Sequence, residues 1–196
     1  GLQGAIGTAF ASRFGSGGAA SRRAGYTGPV DTVYLGTWRR DELQALGGYD
    51  ETLLRTEDDE LNLRILRRGG RVWQSAEIRC WYRPRPSFSG LWAQFYQYGY
   101  WKVPLIRKYR LPAAPRHLVP IVFLLLLLAL ALVGFAWRPA WLVGAALAGL
   151  YTTAALAAAT AGAPPWRGVA RWVGVLCAYP CMHFGYATGF ARAMLD

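Results

Sequence analysis

The sequence predicts a small α/β domain followed by an interfacial helix and three membrane-spanning α-helices. Charge is distributed unevenly along the 196 residues, because residues 1–116 contain 18 of the 22 Lys and Arg and 10 of the 11 Asp and Glu. The rest of the chain contains three uncharged apolar runs, at residues 118–137, 140–162 and 172–190. Each run is long enough to cross a hydrocarbon core of about 30 Å as a helix.

Short strands alternating with helices predict the α/β layer in residues 1–86. Residues 30–36 alternate with β-branched and aromatic side chains, and residues 71–73 and 76–81 are two further candidate strands. Residues 2–14 predict a short helix, and we interpret the Gly-rich stretch around it as a linker or an acceptor-side loop. Three strands make an incomplete sheet, so we expect this chain to be the later part of a longer polypeptide.

Residues 56–64 open a predicted helix with four consecutive carboxylates. Thr56 is the expected N-cap, the acidic first turn complements the helix dipole, and Gly69-Gly70 is the expected stop. A capped surface helix with solvated charge is one interpretation. Four adjacent carboxylates exceed what a cap requires, so we expect one of them to face a cleft. The four are Glu57, Asp58, Asp59 and Glu60.

Residues 87–116 predict an amphipathic aromatic helix and a linker. Tyr and Trp lie beside Lys and Arg in this stretch, which is typical of a helix lying in a membrane interface; a core-facing helix is the alternative. Residues 117–196 form the predicted three-helix membrane region. Basic residues precede the first span and lie between the second and third. The positive-inside rule therefore predicts a multi-pass protein of the cell membrane with a cytoplasmic polar domain and an external C-terminus.

The formal net charge of +11 favours contact with anionic head groups or phosphorylated substrates. No basic stripe accompanies a nucleic-acid docking motif, so nucleic acid is not an expected partner. The cysteines Cys80, Cys177 and Cys181 form no CxxC pair and have no histidine at metal-ligand spacing. We expect Cys177 and Cys181 to be buried as small apolar residues, and no metal site within this chain.

Four sequence blocks resemble, in order, motifs of family 2 glycosyltransferases, and the succinoglycan (exopolysaccharide) type in particular. They are VDTVYLGTWRR at 30–40, LGGYDE at 46–51, EDDELNLR at 57–64 and QFYQYGYWK at 94–102. HFGYATGF at 183–190 also resembles the last membrane segment of that type. The resemblance implies a GT-A, Rossmann-like transferase of inverting stereochemistry. It implies a nucleotide-sugar donor and a lipid-linked or polysaccharide acceptor.

The resemblance also implies site residues. Asp58 corresponds to the aspartate of the family's "ED" motif, a general base that takes a proton from the acceptor hydroxyl, and Glu57 would support it. The helix dipole is expected to keep Asp58 ionised. Asp50 and Glu51 correspond to a loop beside the acceptor, with a structural turn as the alternative. Trp38 is expected to stack on a sugar, with a core position as the alternative.

Gln94, Gln97 and Trp101 lie where processive members carry QxxRW, at the membrane interface or as an active-site lid. No arginine precedes Trp101, so the pattern favours transfer of a single sugar. For Asp59 and Glu60 the alternative to a site role is a surface charge or a salt bridge to Arg64 or Arg68, and we expect this alternative for Asp59.

The resemblance places the donor pocket and its DxD motif upstream of the residues present here. The intact enzyme is expected to use Mg²⁺ or Mn²⁺, with ligands outside this chain, and the chain alone is expected to be inactive. A non-catalytic membrane anchor or assembly subunit is the main alternative function. A transporter fragment is disfavoured, because no apolar run carries a charged residue.

Overall fold

A computed structural model describes residues 1–23, 25–33, 35–110 and 114–196. The elements in chain order are α1 (Leu2–Ala11), α2 (Arg13–Ser16), β1 (Gly28–Pro29), α3 (Arg40–Ala45), α4 (Glu57–Arg67), β2 (Trp73–Gln74), α5 (Phe88–Tyr109), α6 (Val119–Ala136), α7 (Pro139–Gly162) and α8 (Val169–Leu195). Short 3₁₀ turns cover Ala20–Arg22, Pro115–His117 and Pro165–Arg167.

The predicted α/β, Rossmann-like domain is wrong for the described residues, which fold mainly as helices. Their strands are β1 and β2, which pair antiparallel with Gly28 opposite Gln74. Beyond β1, the N–H of Val30 donates to the carbonyl of Val72, and the ladder goes no further. Leu35 has a φ of 52°, which is incompatible with an extended strand. Tyr34, part of the same predicted strand, lies outside the described residues.

Side-chain bonds replace sheet pairing in this stretch. Asp31 forms an ion pair with Arg116, and the Oγ1 of Thr32 accepts a hydrogen bond of 3.0 Å from Asn62. The alternating side chains of residues 30–33 therefore anchor a loop against α4 and do not form a strand. The third predicted strand, residues 76–81, is a turn followed by an exposed irregular segment.

Helix α1 belongs to the core, so the interpretation of this region as a linker is wrong. Its buried side chains are Ala5, Ile6, Ala9 and Phe10. The helix confirms the prediction at residues 2–14, with a break at Ser12, whose hydroxyl caps α2 by accepting from Gly15 N–H at 2.9 Å.

Helix α5 packs along α8 in the most extensive helix–helix contact among the described residues. Its apolar stripe, including Leu91 and Phe95, is buried there, as the core-facing alternative predicts. Glycines bring the backbones close together. A Cβ at Gly99 would lie 1.9 Å from the carbonyl oxygen of Tyr186, and one at Gly189 would lie 2.0 Å from that of Tyr96.

Two helices, α6 and α7, are long and apolar enough to cross a membrane, where the sequence predicted three. Only 11% of the apolar window of each is buried within the chain, so both leave apolar surface exposed. The third predicted run forms α8, but α8 has an extensive buried face that packs on α1 and α5. If α6 and α7 are the spans, the chain returns to its starting side, so the structure does not support the prediction of an external C-terminus. Cys177 is exposed and Cys181 half-buried, in contrast to the burial predicted for both.

A polar connection joins the candidate spans to the rest of the fold. The Nε2 of His183 lies 3.0 Å from the carbonyl oxygen of Phe14, and its Nδ1 lies 3.0 Å from the hydroxyl of Tyr151. Because a carbonyl only accepts, this geometry assigns the ring proton to Nε2 and makes Tyr151 the donor to Nδ1. His183 thereby links α7, α8 and the N-terminal helices.

Candidate functional site

The carboxylate cluster lies in the first turn of α4, which begins at Glu57 as predicted. Its stop is confirmed as well, since Gly69 adopts a φ of 79°. The expected cap is wrong: Thr56 has a φ of 65°, and its hydroxyl bonds the carbonyl of Arg55 instead of a helix N–H. A β-branched residue in the left-handed region is a conformational outlier, and such strain concentrates at functional sites.

Glu60 is a structural carboxylate with no exposed surface. It accepts from Arg64 at 2.5 Å, from Lys108 at 2.7 Å and from the hydroxyl of Tyr109. Burial alone would raise the pKa of Glu60, but these three donors outweigh burial and lower it. Glu60 therefore fixes α4 to the C-terminal end of α5.

Asp59 forms an ion pair with Lys102 of α5, so its predicted pairing with Arg64 or Arg68 and its predicted surface position are wrong. Lys102 is only 6% exposed. Burial works to raise the pKa of Asp59, but Lys102, with help from a hydrogen bond from Thr32, lowers it. Asp59 is therefore held ionised, and its charge is compensated locally.

Asp58 is partly buried, and its Oδ1 accepts the backbone N–H of Asp59 at 2.8 Å. Within the described parts of the chain, no side chain donates a hydrogen bond to it. Burial raises the pKa of Asp58, and the charges of Asp59 and Glu57 raise it further. The shift is opposite to the one expected from the helix dipole. A raised pKa makes Asp58 a stronger base than an ordinary aspartate, while Glu57 is exposed at the helix start.

Tyr49 is a site residue that sequence reasoning missed, although it lies within the LGGYDE block. Burial raises the pKa of its hydroxyl, as do the nearby charges of Asp58 and Glu57. Its ring meets the ring of Trp38 edge-on, with centroids 6.1 Å apart. Tyr49, which is 43% exposed, and the half-buried Trp38 thus form an aromatic pair whose phenol is within electrostatic reach of Asp58.

Asp50 and Glu51 are separated by their contacts. The carboxylate of Asp50 accepts from Lys108 at 2.7 Å and from the backbone N–H of Thr52 at 2.9 Å, which gives the structural turn considered as an alternative. These hydrogen bonds, the one from Lys108 first, lower the pKa of Asp50. Glu51 is exposed and makes no side-chain hydrogen bond to the described residues.

The predicted lid residues lie on α5. Gln94 donates to the hydroxyls of Tyr98 at 2.8 Å and of Tyr82 at 2.9 Å. Gln97 is exposed and accepts from the indole N–H of Trp101 at 3.2 Å. The carbonyl of Trp101 lies 3.5 Å from the hydroxyl of Thr56, the residue immediately before α4. Trp101 is therefore the member of this set that reaches the carboxylate helix directly.

His117 completes the surroundings of the cluster from the turn before α6. Burial lowers the pKa of His117 to about 4, and the charges of Lys102 and Arg116 act in the same direction against Asp59 and Asp31. The imidazole is consequently neutral near pH 7.

The described residues contain no group of three or more His, Cys, Asp or Glu arranged to hold a metal ion. Asp59 and Glu60 are already neutralised by basic side chains, so the cluster does not fit the Mg²⁺ or Mn²⁺ expected for the intact enzyme. Two open surface depressions lie at the α6–α7 turn and between α1 and the segment 81–84. Neither of these two depressions is lined by a residue of the carboxylate cluster.

No family model and no solved structure matches the chain. The chain is 28% identical over 195 residues to the succinoglycan biosynthesis protein ExoA of Rhizobium meliloti (strain 1021). The alignment covers 96% of this chain and 56% of that protein, so the chain spans about half the length of this curated relative. The similarity is weak in identity, but it extends over nearly the whole chain.

Proposed function

We propose that the chain is the acceptor-side and membrane part of a glycosyltransferase of exopolysaccharide synthesis, of the family 2 type. The whole protein would move one sugar from a nucleotide-sugar donor to a lipid-linked or polysaccharide acceptor, with inversion. The similarity to a succinoglycan biosynthesis protein supports this proposal, as do the two candidate membrane spans.

The observation that carries the proposal is the unequal pairing of the four carboxylates. Asp59 and Glu60 are neutralised by Lys102, Arg64 and Lys108. Asp58 is partly buried, has a raised pKa, and is bonded within the described chain only by a backbone N–H. A carboxylate that is desolvated and surrounded by like charge is suited to accept a proton.

In the proposed reaction Asp58 acts as general base. It takes the proton of the acceptor hydroxyl while the acceptor oxygen forms a bond to the anomeric carbon. The bond from that carbon to the diphosphate breaks, and the nucleoside diphosphate leaves with the electron pair. Attack opposite the leaving group inverts the anomeric centre. The described residues do not fit a divalent metal, so a metal that neutralises the leaving diphosphate would be held by ligands outside this chain.

The aromatic pair gives the acceptor a place to bind. Trp38 and Tyr49 pack edge-on, and the Tyr49 phenol is within electrostatic reach of Asp58. Aromatic faces and edges are common contacts for sugar rings. Glu57, exposed at the start of the helix, would contact the same acceptor. Asp50 contributes through the loop it stabilises and not as a ligand, and Glu51 remains a prediction.

Helix α4, which carries the carboxylates, is connected through packed helices to the hairpin of candidate membrane spans, α6 and α7. This connection suits a lipid-linked acceptor. The carboxylate helix is held by α5, α5 packs on α8, and α8 contacts α6 and α7. We place α6 and α7 in the cell membrane and the polar helices on its cytoplasmic side, as the distribution of basic residues predicts. The acceptor hydroxyl would then reach Asp58 from the membrane surface.

The test is Asp58→Asn in the full-length protein, with transfer of labelled sugar to membrane lipids as the readout. Removal of a general base is expected to lower kcat about 10²- to 10⁴-fold. Asp41→Asn is the matched control, since Asp41 is also in the first turn of a helix but is exposed and paired with Arg39. Unchanged transfer by Asp58→Asn would reject Asp58 as the general base, whereas absence of transfer by the wild-type full-length protein would favour a non-catalytic anchor or assembly subunit.

A further inference from the structure

We infer that Lys102 is a positioning residue, whose ion pair with Asp59 both holds Asp58 in place and balances the charge around it. The inference rests on the proposed role of Asp58 as general base. It assigns to α5 a direct electrostatic role in the site, in addition to its packing role.

Two consecutive residues of α5 contact the first turn of α4. The carbonyl of Trp101 lies 3.5 Å from the hydroxyl of Thr56, and the ammonium of Lys102 bonds the Oδ2 of Asp59. The backbone N–H of Asp59 in turn donates to the Oδ1 of Asp58 at 2.8 Å. Asp59 is thus bound on both sides, by its side chain to α5 and by its backbone to the base.

The burial of Lys102 argues that its charge has a use. Lys102 is 6% exposed and lies between Gly99 and Val103, both buried on the same helix. A buried ion pair is often no more stable than well-packed apolar residues of similar volume. An apolar side chain would fill this position, but it would leave Asp58 and Asp59 as two adjacent uncompensated charges.

The charges around Asp58 come from several elements. Asp59 and Glu57 of α4 raise the pKa of Asp58, while Lys102 of α5 lowers it. Burial raises the pKa of Tyr49, in the loop before α4, and of Tyr98, on α5, and the charge of Asp58 adds a smaller contribution to each. Besides Lys102, three groups of other elements interact with Asp59: Thr32 by a hydrogen bond, and His117 and Tyr186 electrostatically. His117, with a pKa of about 4, adds no charge near pH 7. Lys102 is therefore the cation that offsets the two acidic neighbours of Asp58.

Two single substitutions should shift the ionisation of Asp58 in opposite directions. Lys102→Met leaves the charge of Asp59 uncompensated, so the acid limb of the pH–kcat/KM profile should move up by about 0.5–1 pH unit. Asp59→Asn leaves the charge of Lys102 in excess, so the limb should move down by a similar amount. The double variant removes both charges and should return the limb close to that of the wild type.

The experiment uses the full-length protein in lipid nanodiscs and has two readouts. The first is the pH profile of sugar transfer, and the second is an infrared titration of the Asp58 carboxyl band, identified by its loss in Asp58→Asn. Lys108→Met is the matched control, because Lys108 is on the same helix but pairs with Asp50 and Glu60. Lys108→Met should leave the titration midpoint of Asp58 unchanged, even if this variant lowers the thermal stability of the protein.

Opposite shifts, cancelled in the double variant, would support the inference. A purely structural role would lower activity in both single variants without opposite shifts, and that result would overturn it. Unmoved infrared titrations would also overturn it while leaving Asp58 as the base. Full transfer by Asp58→Asn would instead reject Asp58 as the general base, whatever the titrations show.

Discussion

Adding one methyl group to the α5–α8 contact should disrupt the protein. In Gly99→Ala the new Cβ would lie 1.9 Å from the carbonyl oxygen of Tyr186, and in Gly189→Ala it would lie 2.0 Å from that of Tyr96. Both obstacles are backbone atoms of the facing helix, so no rotamer change relieves the overlap. The helices must separate, and every side chain buried between them loses contact.

The magnitude follows from the geometry. Real Cβ contacts essentially never fall below 3.0 Å, so the two helices must move apart by roughly 1 Å. Overpacking of a core costs about 1–3 kcal/mol where side chains can adjust, and an obstacle in the backbone places these variants at the upper end or beyond. For a protein of this size, about 3 kcal/mol lowers Tm by roughly 6–12 °C.

Thermal unfolding followed by tryptophan fluorescence in one detergent tests the expectation. Gly149→Ala is the matched control, because Gly149 is also in a helix but has nothing within 4 Å of the position that a Cβ would take. That variant should be neutral, or more stable by up to about 1 kcal/mol through helix propensity. If Gly99→Ala unfolded at the same temperature as Gly149→Ala, the close packing of α5 on α8 would be refuted.

Two further predictions concern the charged residues around α4. Glu60→Gln should destabilise the protein by about 3 kcal/mol, because it removes the fully buried charge that pairs with Arg64 and Lys108. Chemical denaturation should show this loss, and no change for Asp41→Asn, whose ion pair is exposed. His117 has a pKa of about 4 against 6.5 for a free histidine, so the unfolded chain binds a proton between these values that the folded chain does not. Its contribution is fully present above pH 6.5 and should fall by up to roughly 3 kcal/mol as pH drops to 4; a Tm–pH curve of equal slope in His117→Gln would contradict this.

Local signals in the sequence were enough to locate the helices. The acidic first turn and Gly69 delimit α4, and Ser87 caps α5 by accepting from the Gly90 N–H at 3.1 Å. The strand predictions were wrong, because a strand depends on partners that are distant in sequence. The alternating side chains of residues 30–33 instead anchor a loop through side-chain bonds. The prediction of a third span was wrong, because an apolar composition does not distinguish a helix that contacts lipid from a helix that contacts other helices. Helix α8 contacts other helices.

The contacts of the candidate site were likewise predictable only where they join residues close in sequence. The Glu60–Arg64 pair follows helical i,i+4 spacing, so the sequence alone indicates it as a possible pairing. The Lys102–Asp59 pair joins residues 43 positions apart, and no local pattern could indicate it. For the same reason the sequence could not indicate the ion pair of Asp59, which we expected to be a surface charge or a partner of Arg64 or Arg68. It also did not indicate Tyr49, because the position of Tyr49 relative to Asp58 depends on the turn at Gly47-Gly48.

The contrast between the α5–α8 contact and the α6–α7 hairpin has a consequence for divergence among relatives. Outward residues of the α6–α7 hairpin, such as Leu132 and Leu142, are more than 70% exposed. Exchange of one apolar side chain for another there changes nothing that the fold must accommodate. At Gly99 and Gly189 even alanine is excluded. Drift should therefore accumulate in the most hydrophobic part of the chain, where general hydrophobicity persists but individual identities do not.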